Sequence, residues 1–196
     1  MQAKLDFNIK TNYTVIKVDD EILVRIMAEV LKLPTEEISF KGKLNTEFHR
    51  FVPMVLKKYK WVHQDKLKVY KGHNIVPNVL RYSLATLISG TTVTPTFKAN
   101  KIAMGSGSTI PLNTDTQLQT ETIRGDFSDR YAVDDTAYLD KFRSSAEVGW
   151  NSYQEVWVFV DATWTINTGY LLSRILINET MTATETLSIN CSIQIS

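Results

Sequence analysis

The chain lacks residues that several functional classes require, beginning with cysteine. Only Cys191 is present among 196 residues, which excludes an intramolecular disulfide framework and any site built from several thiolates. The net charge is +1, so no broad basic field is available to hold nucleic-acid phosphates. We therefore expect no nucleic-acid partner.

Long apolar runs are missing as well. No run approaches the roughly 20 residues that a membrane-spanning helix needs, and no basic stretch after Met1 leads into an apolar core. We therefore expect no membrane association and no secretory signal. Apolar residues make up 43% and charged residues 22% of the chain, a balance typical of a folded globular protein rather than a disordered one.

Helical periodicity dominates the chain before residue 91. Apolar residues recur at helical spacing over 22–31, just before Pro34, and again over 52–59. A third set over 79–88 ends before Gly90, a typical C-terminal helix stop. The pattern predicts three short helices, preceded by a strand over 7–18.

From residue 91 the apolar period changes to two, which is typical of antiparallel strands. The alternation is clearest over 187–195, where one face of the strand is predicted to be buried and the other to be exposed to solvent. Other predicted strands cover 97–104, 119–126, 139–150, 156–166 and 170–177. We predict an α+β chain in which short N-terminal helices precede an antiparallel, jelly-roll-like β-sandwich.

The change of period also suggests a division of the chain. Charged residues and glycine interrupt the apolar signal over 64–74, which is where a joint between two parts is expected. We predict an N-terminal helical adaptor over 1–65 and a β-sandwich domain with a leading helix over 72–196.

A glycine turn and a polar connector follow the predicted strand that ends near residue 104. Gly105 and Gly107 suit a sharp exit from a strand or a close backbone approach, and Asp115 can order a loop through bonds to the backbone. Arg124 can pair with Glu121 or with a neighbouring subunit. These residues either shape a loop or contribute directly to an interface between subunits.

This segment resembles a pattern in virion structural proteins of tailed bacteriophages, where an apolar strand ends in Gly-x-Gly and an Asp, a Leu, a Glu and an Arg follow. The matching residues are Gly105, Gly107, Asp115, Leu118, Glu121 and Arg124. The runs Asn74–Arg81, Ile177–Thr180 and Leu187–Ile189 have the order seen in the same proteins. The resemblance covers about residues 72–196.

The resemblance implies a non-enzymatic structural component of a phage particle, in the tail, the baseplate or the fibre-attachment region. It implies assembly with other virion proteins and with copies of itself, as a trimer or hexamer, after synthesis in the host cytoplasm. It implies no catalytic residues. A head decoration, neck or head-fibre protein is the alternative within the same class.

A carbohydrate-binding receptor module is an alternative of a different class. Flat aromatic rings stack on the apolar faces of sugars, and Trp150, Trp157 and Trp164 are the candidates for contact with a host surface glycan. The same three residues could instead pack in a core. A glycan-degrading enzyme would need a pair of opposed carboxylates, and nothing in the sequence places Glu147 opposite Glu155.

The sequence contains no complete motif for phosphate binding, for metal binding or for a reactive thiol. The Gly-Ser-Gly turn at 105–107 lacks the Lys-Ser/Thr of a phosphate-binding loop. His49, His63 and His73 are too irregularly spaced for a zinc site, and the acidic stretch 126–140 lacks calcium-loop spacing. Cys191 falls on the apolar face of the last strand, which predicts a buried, inert thiol. We therefore expect no metal and no cofactor.

Overall fold

A computed structural model describes residues 9–32, 34–35, 67–73, 77–90 and 97–195. Within these ranges the strands are β1 (Ile9–Asp19), β2 (Leu67–His73), β3 (Ala99–Gly105), β4 (Glu121–Gly125), β5 (Asp129–Val133), β6 (Thr136–Arg143), β7 (Ser152–Val160), β8 (Tyr170–Thr180) and β9 (Glu185–Ile195). The helices of the same ranges are α1 (Asp20–Leu31), α2 (Asn78–Ile88) and α3 (Ser145–Val148).

The strands form two antiparallel sheets. The five-stranded sheet has the order β2-β1-β9-β6-β5, and the four-stranded sheet has the order β4-β3-β7-β8. The first and last described strands pair along their whole length, from Ile9 opposite Ile195 to Asp19 opposite Glu185. Residues 9–19, which the sequence assigned to the adaptor region, therefore lie in the same sheet as the C-terminal strand. For residues 36–66, which lie outside the described ranges, the adaptor stays a prediction.

The main core lies between the two sheets. The buried face predicted for β9 is confirmed for Leu187, Ile189, Cys191 and Ile193, which all point into this core. The other face is not exposed throughout, since Thr186 and Ser188 are buried, and Ile195 of the predicted buried face is 47% exposed. Side chains of β7 and β8 in the other sheet pack against them. A hydrogen bond of 2.5 Å joins the hydroxyl of Tyr13 in β1 to that of Ser173 in β8. The packing is that of an antiparallel β-sandwich; the finer, jelly-roll-like description stays a prediction.

The observed helices match those predicted from the sequence in part. Helix α1 begins one residue after Asp19, whose side chain accepts a hydrogen bond from the Glu21 amide, and it covers the first predicted helix. Helix α2 covers the third. The helix predicted over 52–59 lies outside the described residues, so the set of three short helices is not confirmed as a set.

Two predicted strands are too long. The strand predicted over 139–150 ends at Arg143, because Ser144 and Glu147 form a capping box that starts α3. The strand predicted over 156–166 ends at Val160, and Asp161 takes a left-handed backbone conformation with φ of 51°.

Candidate functional site: the covered outer face of the four-stranded sheet

Residues 106–120, which we call the connector, join β3 to β4 across the outer face of the four-stranded sheet. This face carries a second apolar cluster, separate from the main core, made of Ala103, Leu118, Trp157, Phe159, Ala162 and Leu171. Leu118 belongs to the connector, so the connector covers side chains that would otherwise face water. The chain over 161–169, which we call the β7–β8 loop, contributes Ala162 to the same cluster. The four-stranded sheet therefore buries apolar side chains on both of its faces.

Glu155 of β7 holds both ends of the connector. Its carboxylate is fully buried, and Oε1 accepts hydrogen bonds of 3.1 Å from the amides of Gly107 and Thr120. Oε2 accepts a hydrogen bond of 2.9 Å from the indole of Trp157 and lies 3.0 Å from Arg174 Nη2. Both oxygens are thus engaged, and the two ends of the connector meet on one side chain.

Arg174 of β8 holds the middle of the connector. Its guanidinium lies 4.7 Å from the centre of the Trp157 ring and donates to Asp115 Oδ2 at 2.7 Å and to Thr109 Oγ1 at 3.2 Å. Asp115 Oδ2 also accepts a 2.9 Å bond from the Leu112 amide. Asp115 therefore orders the loop through its backbone as the sequence predicts, and it also forms an ion pair that the sequence does not predict.

Glu121 and Arg124 form a buried, two-pronged ion pair in β4. Arg124 Nε and Nη2 donate to the two carboxylate oxygens of Glu121 at 2.5 and 2.7 Å. Arg124 Nη1 also donates to the Thr163 carbonyl at 2.7 Å, and Glu121 Oε2 accepts from the Asn167 amide at 3.0 Å. Of the two pairings that the sequence allows for Arg124, the structure contains the one with Glu121. The pair fixes the β7–β8 loop against β4.

Gly105 and Gly107 are needed for close approach. A Cβ atom on Gly105 would lie 2.1 Å from the Thr120 carbonyl oxygen, and one on Gly107 would lie 2.4 Å from Glu155 Oε1. Neither position leaves room for a methyl group. The glycines of the sequence motif therefore let the connector reach the Glu155 carboxylate.

The three candidate tryptophans have different environments. Trp157 is fully buried in the outer-face cluster, which assigns it to packing. Trp150 and Trp164 are 75% and 64% exposed. Trp164 lies in the β7–β8 loop, and Lys101 Nζ is 3.3 Å from the centre of its ring, a cation–π contact. Trp150 and Trp164 are therefore available to a partner, whereas Trp157 is not.

Exposed apolar side chains lie on the two segments that cover the outer face. We call Ile110 and Leu112 of the connector, with Trp164 and Ile166 of the β7–β8 loop, the outer-face patch. Each of these side chains is more than half exposed. A hydrogen bond of 3.4 Å from Gln117 to the Asn167 carbonyl links the two segments. The patch is thus presented by loops that buried charges hold in place.

Cys191, Glu147 and Glu155 are engaged in the packing and hydrogen bonding of the fold. Burial raises the pKa of the Cys191 thiol to about 12, so it stays protonated at neutral pH. Glu147 accepts from the Ser144 amide in the α3 capping box, and Glu155 is occupied by the connector. The described residues contain no group of three His, Cys, Asp or Glu placed to hold a metal ion. The three histidine side chains lie outside the described part.

Sequence reasoning missed the central pair of this site. Glu155 and Arg174 were not predicted to act together, although each is a charged residue beside the apolar run of its strand. A buried charge in such a strand requires a partner, so opposite charges in two apolar strands were the signal that could have found them.

No family model, curated protein or solved structure matches the chain. Among the described helices, none is long and apolar enough to cross a membrane. The functional conclusion therefore depends on the geometry of this site and on the sequence pattern that the connector carries.

Proposed function

We propose that the protein is a non-enzymatic structural component of a tailed-phage virion, located in the tail, baseplate or fibre-attachment region. One observation supports this most directly. Arg174 is buried and pairs with the buried Glu155 and with the partly exposed Asp115, and these ion pairs fix a connector that presents apolar side chains to solvent. The connector is also the segment whose residues resemble virion structural proteins.

A rigid loop with exposed apolar side chains suits the assembly of subunits. Contiguous exposed apolar groups are characteristic of interaction surfaces, and a preformed loop loses little conformational entropy when a partner binds. The outer-face patch is proposed to act in this way, since its four apolar side chains are more than half exposed and Glu155 holds the ends of the connector. Its proposed partners are other virion proteins and further copies of the same chain, in a trimer or hexamer.

The finer parts of the proposal follow from the same resemblance. The sandwich is proposed to be jelly-roll-like, and the N-terminal region is proposed to anchor it to a neighbouring virion protein. Assembly by complementary surfaces uses no catalytic residue, cofactor, nucleic acid or membrane. The protein is proposed to be made in the host cytoplasm and retained in the particle.

The decisive experiment is to locate the protein in a reconstruction of the purified particle. We expect density for the sandwich at a symmetric position in the tail, baseplate or fibre-attachment region. Density at the head surface or neck would instead support a head decoration, neck or head-fibre protein. Absence from the particle, together with a monomer mass at micromolar concentration, would contradict the structural role.

A carbohydrate-binding module is the second candidate, and the exposure of Trp150 and Trp164 favours it. The test is a titration of host surface glycans that follows tryptophan fluorescence. Saturable quenching that is lost in Trp164→Ala or Trp150→Ala, with particle assembly unchanged, would support this candidate. Quenching that is equal in wild type and both variants would exclude these two residues as a sugar platform.

A further inference from the structure

An apolar cavity lies between the two sheets, beside α2. Its volume is about 420 Å³. It is lined by Ile9, Leu84, Phe97, Lys98, Ala99, Arg130, Tyr131, Ala137, Leu139, Leu172, Ile193 and Ile195. Both sheets and α2 contribute residues to the lining. None of its lining residues belongs to the connector or to the β7–β8 loop, so the cavity is separate from the proposed assembly surface.

The lining changes from apolar to cationic between the interior and the surface. Leu139, Leu172 and Ile193 are buried and form the floor. Lys98 and Arg130 are exposed and form part of the rim. They are the only charged residues of the described lining, and both are positive.

Arg130 is held at the cavity wall. Its Nη1 donates a hydrogen bond of 2.7 Å to the Ala99 carbonyl oxygen, and Ala99 is itself a lining residue. Within the described ranges neither Arg130 nor Lys98 forms an ion pair with a carboxylate. The rim therefore places two cations beside an apolar interior.

We propose that this cavity binds a small amphiphile, an apolar chain that ends in a carboxylate. Its volume falls in the range of small-molecule sites, which are concave and mostly apolar with a few polar groups that fix orientation. Burial of the chain against the floor supplies the main driving force. The carboxylate lies at the rim, where Lys98 and Arg130 attract an anion and disfavour a cation. This binding goes beyond the proposed assembly role and does not depend on it.

The test compares probes that differ only in the head group or the chain. Dodecanoate, dodecylammonium and acetate are titrated into the full-length protein by calorimetry, with each long-chain probe below its micellar concentration. We expect one dodecanoate per chain, bound at least about tenfold more tightly than dodecylammonium, a factor that corresponds to about 1.4 kcal/mol. Acetate, which lacks the chain, is expected not to bind. Equal affinity for the two head groups, or no dodecanoate binding, would overturn the proposal.

Variants test the apolar floor and the cationic rim of the site separately. Ala137→Phe places a ring in the cavity and is expected to weaken dodecanoate binding by about tenfold or more, with the thermal midpoint reporting whether the fold is intact.

The double change Lys98→Gln and Arg130→Gln, at two exposed positions, is expected to remove the preference for dodecanoate over dodecylammonium. Lys71→Gln, an exposed position outside the lining, is the matched control and should bind as wild type does. An unchanged head-group preference in the double variant would refute the role of the rim, even if Ala137→Phe did not fold.

Discussion

Glu155 shows how a single buried carboxylate can determine the path of a long loop. It accepts hydrogen bonds from backbone amides at the two ends of the connector, and it pairs with Arg174, which holds the middle. Burying such a charge is costly in itself, and the cost is offset because every oxygen has partners. The value of this arrangement is the fixed position of the connector rather than a gain in stability.

Glu155→Gln should release the connector. The amide keeps the shape of the side chain but removes the charge that Arg174 needs, and its NH₂ group faces donors instead of accepting from them. We expect a loss of about 3 kcal/mol in unfolding free energy, measured by urea denaturation. Hydrogen exchange should become faster at the amides of Gly107 and Thr120.

The matched control for this variant is Glu21→Gln, which removes a surface ion pair with Arg25 on α1. Both partners are about two-thirds exposed, so the expected loss is below about 1 kcal/mol. Equal losses in the two variants would contradict the role assigned to Glu155.

Gly107→Ala should destabilise the same contact by steric means. The added methyl group would lie 2.4 Å from Glu155 Oε1, so the connector or the carboxylate must move, at a cost of about 1–3 kcal/mol. Gly90→Ala is a useful comparison, because a Cβ there meets no atom within 4 Å and only the positive φ of 78° is strained. We expect exchange in the connector to rise in Gly107→Ala and to stay unchanged in Gly90→Ala.

At the scale of elements, a buried ion cluster joins β1 to the ends of β8 and β9. Lys17 Nζ lies 2.9 Å from Glu179 Oε2 and 3.1 Å from Glu185 Oε1, and it donates to the Thr180 carbonyl at 3.2 Å. Burial alone would lower the pKa of Lys17, but its bonds to the two carboxylates outweigh burial and raise it. Burial would raise the pKa of Glu185, yet bonds from Lys17 and Thr182 lower it.

These shifts predict a pH window for the contribution of the cluster to stability. The lowered pKa of Glu185 gives stability that is present above its ordinary value of 4.5 and is lost as the pH falls through the folded-state pKa. The raised pKa of Lys17 gives stability that is present below 10.5 and is lost as the pH rises through its folded-state value. The cluster therefore contributes fully between about pH 4.5 and 10.5.

Lys17→Gln should remove this contribution. We expect a loss of about 3 kcal/mol at pH 7, because two carboxylates lose their buried cation, and a weaker fall in stability below pH 4.5 than in wild type. Urea midpoints measured from pH 3 to 8 test both. If the stability of the variant falls as steeply below pH 4.5 as that of wild type, the loss comes from packing and not from charge.

Cys191 lies in the central strand β9, so thiol reagents should label it slowly. The thiol is fully buried and its pKa is raised to about 12, so the native protein should react with an aromatic disulfide reagent at pH 8 only through unfolding. The control is Ala183→Cys in the exposed turn between β8 and β9. Its added thiol should react at least about a thousandfold faster, since an unperturbed thiol has a pKa near 8.5. Comparable rates would show that β9 opens readily.

The success of the sequence predictions differed between elements for physical reasons. β9 was readable because its alternation persists over the whole strand. Strand β2 was missed because Lys68 and Lys71 made its segment look like a joint. Strand β5 was missed because the alternation of Tyr131 and Val133 is short and the strand lies at an exposed edge. The Ser-x-x-Glu spacing of Ser144 and Glu147 is a local capping-box signal that the strand predicted over 139–150 does not reflect.

The site was less predictable than the elements. The glycines and Asp115 were identified as loop-forming residues, since those roles follow from local chemistry. Their partners are distant along the chain, since Gly107 and Glu155 are 48 residues apart and Asp115 and Arg174 are 59 residues apart. Such long-range pairs depend on which strands become neighbours, and periodicity carries no information about that.

At the scale of the whole molecule, the outer-face patch predicts an assembly contact. The double change Ile110→Asp and Leu112→Asp should lower the mass of any oligomer to that of the monomer in light scattering at micromolar concentration, because charges would be buried without partners. Both positions are more than half exposed, so the thermal midpoint should change little. Val133→Asp, at an apolar position on the other sheet that is also more than half exposed, is the control and should leave the mass unchanged. An oligomer that persists in the double variant would remove the patch from the proposed interface.

The pairing of the first and last strands has a consequence for how the protein is made. Strand β1 is synthesised well before its neighbour β9, since paired residues such as Asp19 and Glu185 lie more than 160 residues apart along the chain. Until β9 has been made, β1 has an open edge and the main core lacks the strand that supplies four of its inward side chains. Contacts so distant in sequence form slowly, and exposed edges invite association with other chains. The interval between the synthesis of β1 and that of β9 is therefore when this protein most needs protection from aggregation.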